Sequence, residues 1–131
     1  MAQSFISKAE VKNSLTMKNN TDENIRVAYV WYNSQLQGFE SRGWEIISPY
    51  GELRLDLHDL KNFSRNIVYV YAEGSVKNKK IRTWDGNSEF RVGDAIEFDI
   101  YDADKFTKKL PTRKFNMVAV YKGDTPYTFN P

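Results

Sequence analysis

Cysteine is absent from this 131-residue chain, which excludes disulfide staples and any thiolate nucleophile or metal ligand. Histidine occurs once, at His58, so a structural zinc site built from four Cys or His ligands is out of reach. The same scarcity counts against hydrolase chemistry. A Ser-His-Asp triad needs an oriented base and an activated serine, and no Gly-x-Ser-x-Gly elbow occurs. His58, beside Asp59 where a strand pattern ends, reads as a surface or rim histidine. No run approaches the ~18 apolar residues that span a bilayer. Met1 to Lys8 hold no apolar stretch of the kind a secretory signal needs. The chain therefore reads as cytoplasmic by default, with a trimmed signal or a non-classical export route as the alternative. Net charge is also small, at +2.

Aromatic residues, in contrast, are plentiful: 8 Phe, 8 Tyr and 3 Trp make 15% of the chain. Such side chains fit a pleated, half-buried surface, and the alternation of the sequence agrees with strands. Ile25, Val27, Tyr29 and Trp31 fall on one face of a strand whose other face, Ala28, Val30 and Tyr32, is hardly polar. That pattern predicts a central strand covered on both sides, and Ile67 to Ala72 predicts a second. Leu53, Leu55 and Leu57 alternate with Glu52, Arg54 and Asp56, as a strand with one wet face does. Further strands are expected around Val11 to Lys18, Ile96 to Tyr101 and Phe115 to Tyr121. Turn signals at Asn19 to Asn24, Ser48-Pro49-Tyr50-Gly51, Trp84-Asp85-Gly86-Asn87, Gly93-Asp94 and Lys122-Gly123-Asp124 punctuate the series. Helix is confined to a turn near Leu57 to Phe63. The expected architecture is one all-β domain over residues 1–131, a small antiparallel β-sandwich or, alternatively, a partly open barrel. Val27, Tyr29, Trp31, Leu55, Val68, Val70, Phe98, Met117 and Ala119 are its expected core.

Chemistry is sparse in this pattern. Glu40, Glu45 and Glu73 lie near aromatics and offer the carboxylate pair a glycosidase-like hydrolase needs, two acids about 5–9 Å apart in space. Asp99, Asp102 and Asp104 are the weak metal candidates, since calcium takes hard oxygen ligands, but the glycine and terminal Glu of an EF-hand loop are missing. No tight metal site and no cofactor are expected. Positive charge gathers in two clusters: Lys77, Lys79, Lys80 and Arg82, then Lys105, Lys108, Lys109, Arg113 and Lys114. Solvated turn tips explain such clusters more simply than phosphate binding does, and nucleic acid is not expected as a partner. Trp44, Trp84, Tyr71 and Glu73 are the candidate ligand-binding residues, because flat aromatic faces beside a carboxylate suit sugars or protein surfaces.

The succession Asn20-Thr21, Gly43-Trp44, Pro49-Tyr50-Gly51-Glu52, Tyr69-Val70-Tyr71-Ala72-Glu73 and Trp84-Asp85-Gly86 with Phe90 resembles the bacterial domain-of-unknown-function 1036 family over roughly Leu15 to Ile100. That resemblance implies a small bacterial β-domain and no reaction. Family members carry cysteines near the positions of Lys18, Glu52 and Arg91, behind an export signal; here all three are replaced and no signal is visible, which fits a member living in a reducing space. The expected function is a non-enzymatic binding or accessory module recognising a protein or glycan surface. A hydrolase using paired carboxylates, or a weak anion or nucleic-acid binder acting through basic loops, is the alternative.

Overall fold

A computed structural model describes residues 13–75, 81–94, 97–101 and 109–131. Ten strands run in chain order: β1 (Ser14–Asn19), β2 (Ile25–Asn33), β3 (Gly38–Ile47), β4 (Glu52–Asp56), β5 (Phe63–Ser75), β6 (Ile81–Trp84), β7 (Ser88–Arg91), β8 (Phe98–Tyr101), β9 (Thr112–Ala119) and β10 (Asp124–Phe129). A 3-10 turn, Leu57–Asp59, follows β4. Among the described residues no helix is long and apolar enough to cross a membrane.

The strands form two sheets. The smaller has the order β10-β1-β4; the larger runs β7-β9-β5-β2-β3-β8, with β6 also paired to β5. All pairs are antiparallel except β1 with β10, which lie parallel with Ser14 opposite Asp124 and Asn19 opposite Phe129. As the alternation requires, β2 and β5 sit at the centre of the large sheet. Ile25, Val27, Tyr29 and Trp31 pack with Val68 and Val70 against Leu15, Met17, Leu55 and Phe129 of the small sheet. The opposite face of the large sheet curls on itself and buries Ala28, Val30, Trp44, Tyr71, Phe90 and Phe115 in a second core. The fold is thus an all-β sandwich with one strongly curled sheet, and the aromatic residues are divided between the main core and the inside of that curl.

Of the expected core, Val27, Tyr29, Trp31, Leu55, Val68 and Val70 are buried, and Phe98 is half-buried. Met117 and Ala119 are not: Met117 is 58% exposed, and Val118 and Val120 point into the main core instead. The phase of β9 is set by its pairing of Val118 with Val68. Met117 therefore falls opposite Tyr69, whose ring packs on Phe39 and Phe90 in the curl, while Met117 itself is left uncovered. Ile96 lies outside the described residues.

Two irregularities shape the large sheet. Val27 pairs with Glu45 but Tyr29 with Arg42, so Ala28 faces two residues, Gly43 and Trp44, in a bulge. A Cβ on Gly43 would lie 2.9 Å from the Val27 carbonyl oxygen, which is why glycine stands there. The extra residue turns Trp44 into the curl and Glu45 to the other face. In β5, Trp31 pairs with Val68 but Tyr32 with Ser64, and Arg65 and Asn66 take φ values of 72 and 52 to loop out the surplus. Gly86 is not a hairpin corner. Its N–H donates to Lys114 O at 3.0 Å, and a Cβ would lie 2.5 Å from Asn116 Cα, so the chain can cross from β6 to β7 only with glycine pressed on β9.

Candidate functional site

Trp44, Tyr71 and Glu73 come together on the curled face, and Arg26 joins them. Arg26 lies opposite Glu73 across the β2–β5 ladder, and the two form an ion pair whose Nε–Oε1 contact is 2.6 Å. The guanidinium carbon stands 4.0 Å above the Trp44 ring, so the charge is held by a π-face beneath and a carboxylate beside. Tyr71 donates its hydroxyl to Glu73 Oε2 at 2.7 Å, and Arg113 Nε approaches the same oxygen at 3.5 Å. Burial works to raise the Glu73 carboxyl, but the hydrogen bonds from Tyr71 and Arg26 and the charges of Arg26 and Arg113 outweigh it. The group is held below the usual carboxylate range. Burial, then the hydrogen bond and charge of Glu73, push the Tyr71 phenol up.

This arrangement changes what the aromatic residues can do. Trp44 is 3% exposed and its Nε1–H is committed to Gly93 O at 2.9 Å; Tyr71 is equally buried. Neither offers a free face for a sugar. Trp84 is elsewhere: it pairs with Ala72 on the main-core side, packs edge-on against Phe129 and donates Nε1–H to Asn130 O. What lies open beside the Arg26–Glu73 pair is apolar. Ile46 and Ile81 are 62% and 73% exposed. Together with Asn24, Ile25, Arg26, Glu73 and Gly74 they line a notch of about 280 Å³. Sequence reading missed Arg26, although it is the one charge in the apolar run Ile25 to Tyr32, and that was the available signal.

A second polar cluster sits at the β3–β8 edge. Glu40 is 5% exposed, accepts a hydrogen bond from Asn33 Nδ2 at 3.1 Å, and shares one with Asp99. Arg42 stands 3.2 Å from Asp99 and 3.9 Å from Glu40, with its guanidinium over the Trp31 ring. Burial, reinforced by Asp99, raises the Glu40 carboxyl to about 7. Glu45 belongs to the same region through a 3.3 Å contact from the Tyr29 hydroxyl, and burial pushes that phenol up to about 12. Arg42, Glu45, Glu97, Phe98 and Asp99 line a cavity of about 400 Å³. Glu40 and Glu45 are therefore neighbours of this cavity, whereas Glu73 is on the opposite face of the sheet.

Of the weak metal candidates, Asp99 is engaged by Arg42, and Asp102 and Asp104 lie outside the described residues. So do Lys77, Lys79, Lys80, Lys105 and Lys108. The arginines of the two basic clusters are occupied: Arg82 donates to Asn130 O, and Arg113 faces Glu73. No family model, no curated protein and no solved structure matches the chain.

Proposed function

We propose that this chain is a non-enzymatic binding or accessory module, and that it recognises a protein surface through the notch between Ile46 and Ile81. The observation that supports the reading is the pairing of two well-exposed isoleucines with a rigid ion pair. Two large aliphatic side chains lining one open notch make an apolar patch that another surface can cover, and a fixed guanidinium–carboxylate pair beside them supplies directional contacts. Arg26 is a suitable centre because Trp44 and Glu73 hold it in place before any partner arrives, so little side-chain entropy is lost on binding. A glycan partner is disfavoured by the burial of Trp44 and Tyr71. The test compares affinity isolation from the source cells with the native chain and with an Ile46→Glu/Ile81→Glu double variant. Both sites are exposed, so the variant should keep its melting temperature. The reading expects a saturable protein partner that the variant loses and a silent glycan array. Glycan binding that the double substitution leaves intact would overturn it.

A second reading, a hydrolase using paired carboxylates, draws on the Glu40–Asp99 pair behind the 400 Å³ cavity. It ranks lower because Arg42 contacts both acids and Glu40 is shielded from solvent, so a substrate oxygen has poor access to either proton.

A further inference from the structure

We infer that the turn after β4 is a surface site for a first-row divalent transition ion, held by Asp56, His58 and Asp59. Among the described residues these three side chains bring one carboxylate oxygen, one imidazole nitrogen and another carboxylate oxygen within 4.8 Å of one another. The convergence follows from how the turn is anchored. Leu57 and Leu60 are buried in the main core, at 3% and 2% exposure, and flank the pair between them. The Leu57 N–H donates to Asn13 O, the Leu60 N–H to Leu57 O and the Phe63 N–H to Leu60 O, so the backbone has no slack. With both leucines drawn inward, residues 56, 58 and 59 are left on the outer side together.

The geometry of the donors is close to what a metal requires. His58 Nε2 lies 3.4 Å from Asp59 Oδ1. Donors bound at about 2.0–2.1 Å in a tetrahedron are separated by roughly 3.3–3.4 Å, so one edge is already the right length. No separation has to shorten by more than about 1.5 Å, which side-chain rotation at this surface turn supplies. One imidazole with two carboxylates selects zinc, cobalt, nickel or copper over calcium, which asks for six or more oxygens. Three ligands leave the remaining positions to water, so this is an open site and weaker than a four-ligand structural zinc. That is why the scarcity of histidine and cysteine does not bear on it. Arg54 Nε sits 3.3 Å from Asp56 Oδ1 and competes with the ion for that carboxylate.

The full chain, without a polyhistidine tag, is titrated with Co²⁺ and Zn²⁺ by calorimetry, and Co²⁺ binding is followed by visible absorption. His58 is the sole histidine, so its imidazole resonances report the site without ambiguity. The expected result is one saturable site with broadening of the His58 signals by Co²⁺. His58→Ala and Asp59→Asn should each weaken it by at least about tenfold, the scale seen when even outer-shell groups are lost. Arg54→Ala should tighten it, because the guanidinium no longer competes for the Asp56 carboxylate, and the loss of binding in His58→Ala separates a specific site from a nonspecific ion atmosphere. Calcium should not compete at equal concentration. Absence of saturable binding at millimolar Co²⁺, or binding that survives His58→Ala with Asp59→Asn in a chain with native circular dichroism, would overturn the assignment.

Discussion

Asn19 is fully buried, and both polar atoms of its side chain are committed. Its Nδ2 donates to the carbonyls of Glu23, Ile47 and Ser48, and its Oδ1 accepts from the Thr21 N–H and hydroxyl. One amide thus ties β1 to the end of β3 and closes the turn into β2. Glu40 is the opposite case, a buried acid that pairs imperfectly. Its folded-state pKa is raised to about 7 by burial and by Asp99, from an ordinary 4.5. The folded state therefore holds this proton more tightly than the unfolded chain. The stabilising share is complete below about pH 4.5 and is lost as pH rises through 7. After screening by Arg42 and solvent, the loss should be about 1–2 kcal/mol. Glu40→Gln keeps an oxygen for Asn33 and an N–H for Asp99 without ionising. It should match the native chain at pH 5, exceed it at pH 8 and flatten the decline of Tm between them. An undiminished pH slope in the variant would show that another group is responsible. The sequence contained Glu40 as a candidate acid, but its partner Asp99 lies 59 positions on and is brought near only by the β3–β8 register, in which Glu40 faces Tyr101 and Arg42 faces Asp99.

At the scale of elements, alternation was a good guide where both neighbours of a strand are regular and a poor one elsewhere. β2 and the second half of β5 carry apolar residues on both faces, and both are central. β3 escaped the reading because two glycines and a bulge break its period, and because Glu40 and Ser41 are buried while Ile46 is exposed. Burial there follows the curl of the sheet and not the hydropathy of the residue. In β9 the period was visible but the phase was not: Met117 and Val118 are both apolar, and only the pairing with β5 decides between them. The phase can be checked directly. Val118→Ala should cost about 1–3 kcal/mol, as loss of buried methyl groups does. Met117→Ala, on the exposed outer face, should stay within about 0.5 kcal/mol. Chemical denaturation of both variants decides it, and a larger cost for Met117 would reverse the facing of the strand. Tyr50 shows another limit of local signals. The Pro49-Tyr50 corner is real, closed by Gly51 N–H to Ser48 O at 2.9 Å, but it leads from one sheet into the other and holds Tyr50 at a φ of 58.

For the molecule as a whole, the chain's last described strand completes what its first one starts. β10 lies parallel to β1, and Phe129 is fully buried against Trp84 and Tyr127. Parallel pairing of strands so distant in sequence gives no local signal, which is why no strand was expected after Tyr121. It also means that the small sheet cannot be finished until the final residues are in place. Folding should accordingly be slow for the size of the domain, since long-range pairing must overcome loop entropy before it is rewarded. The energetic stake can be sized. Removing Phe129 alone should cost about 3–5 kcal/mol. Deleting Asp124 to Phe129 also strips cover from Leu15, Met17 and Trp84, and it removes the Asp124 carboxylate that accepts from Ser14 and Thr16 at 2.7 Å each. Against a total of about 5–15 kcal/mol for a domain, that sum reaches the whole stability. A chain ending at Gly123 should lose its cooperative thermal transition and its near-ultraviolet circular dichroism, whereas Phe129→Leu in the full chain should melt cooperatively at a lower temperature. If the shortened chain still melted sharply within a few degrees of the native one, the large curled sheet would be stable alone and the small sheet would be an accessory layer.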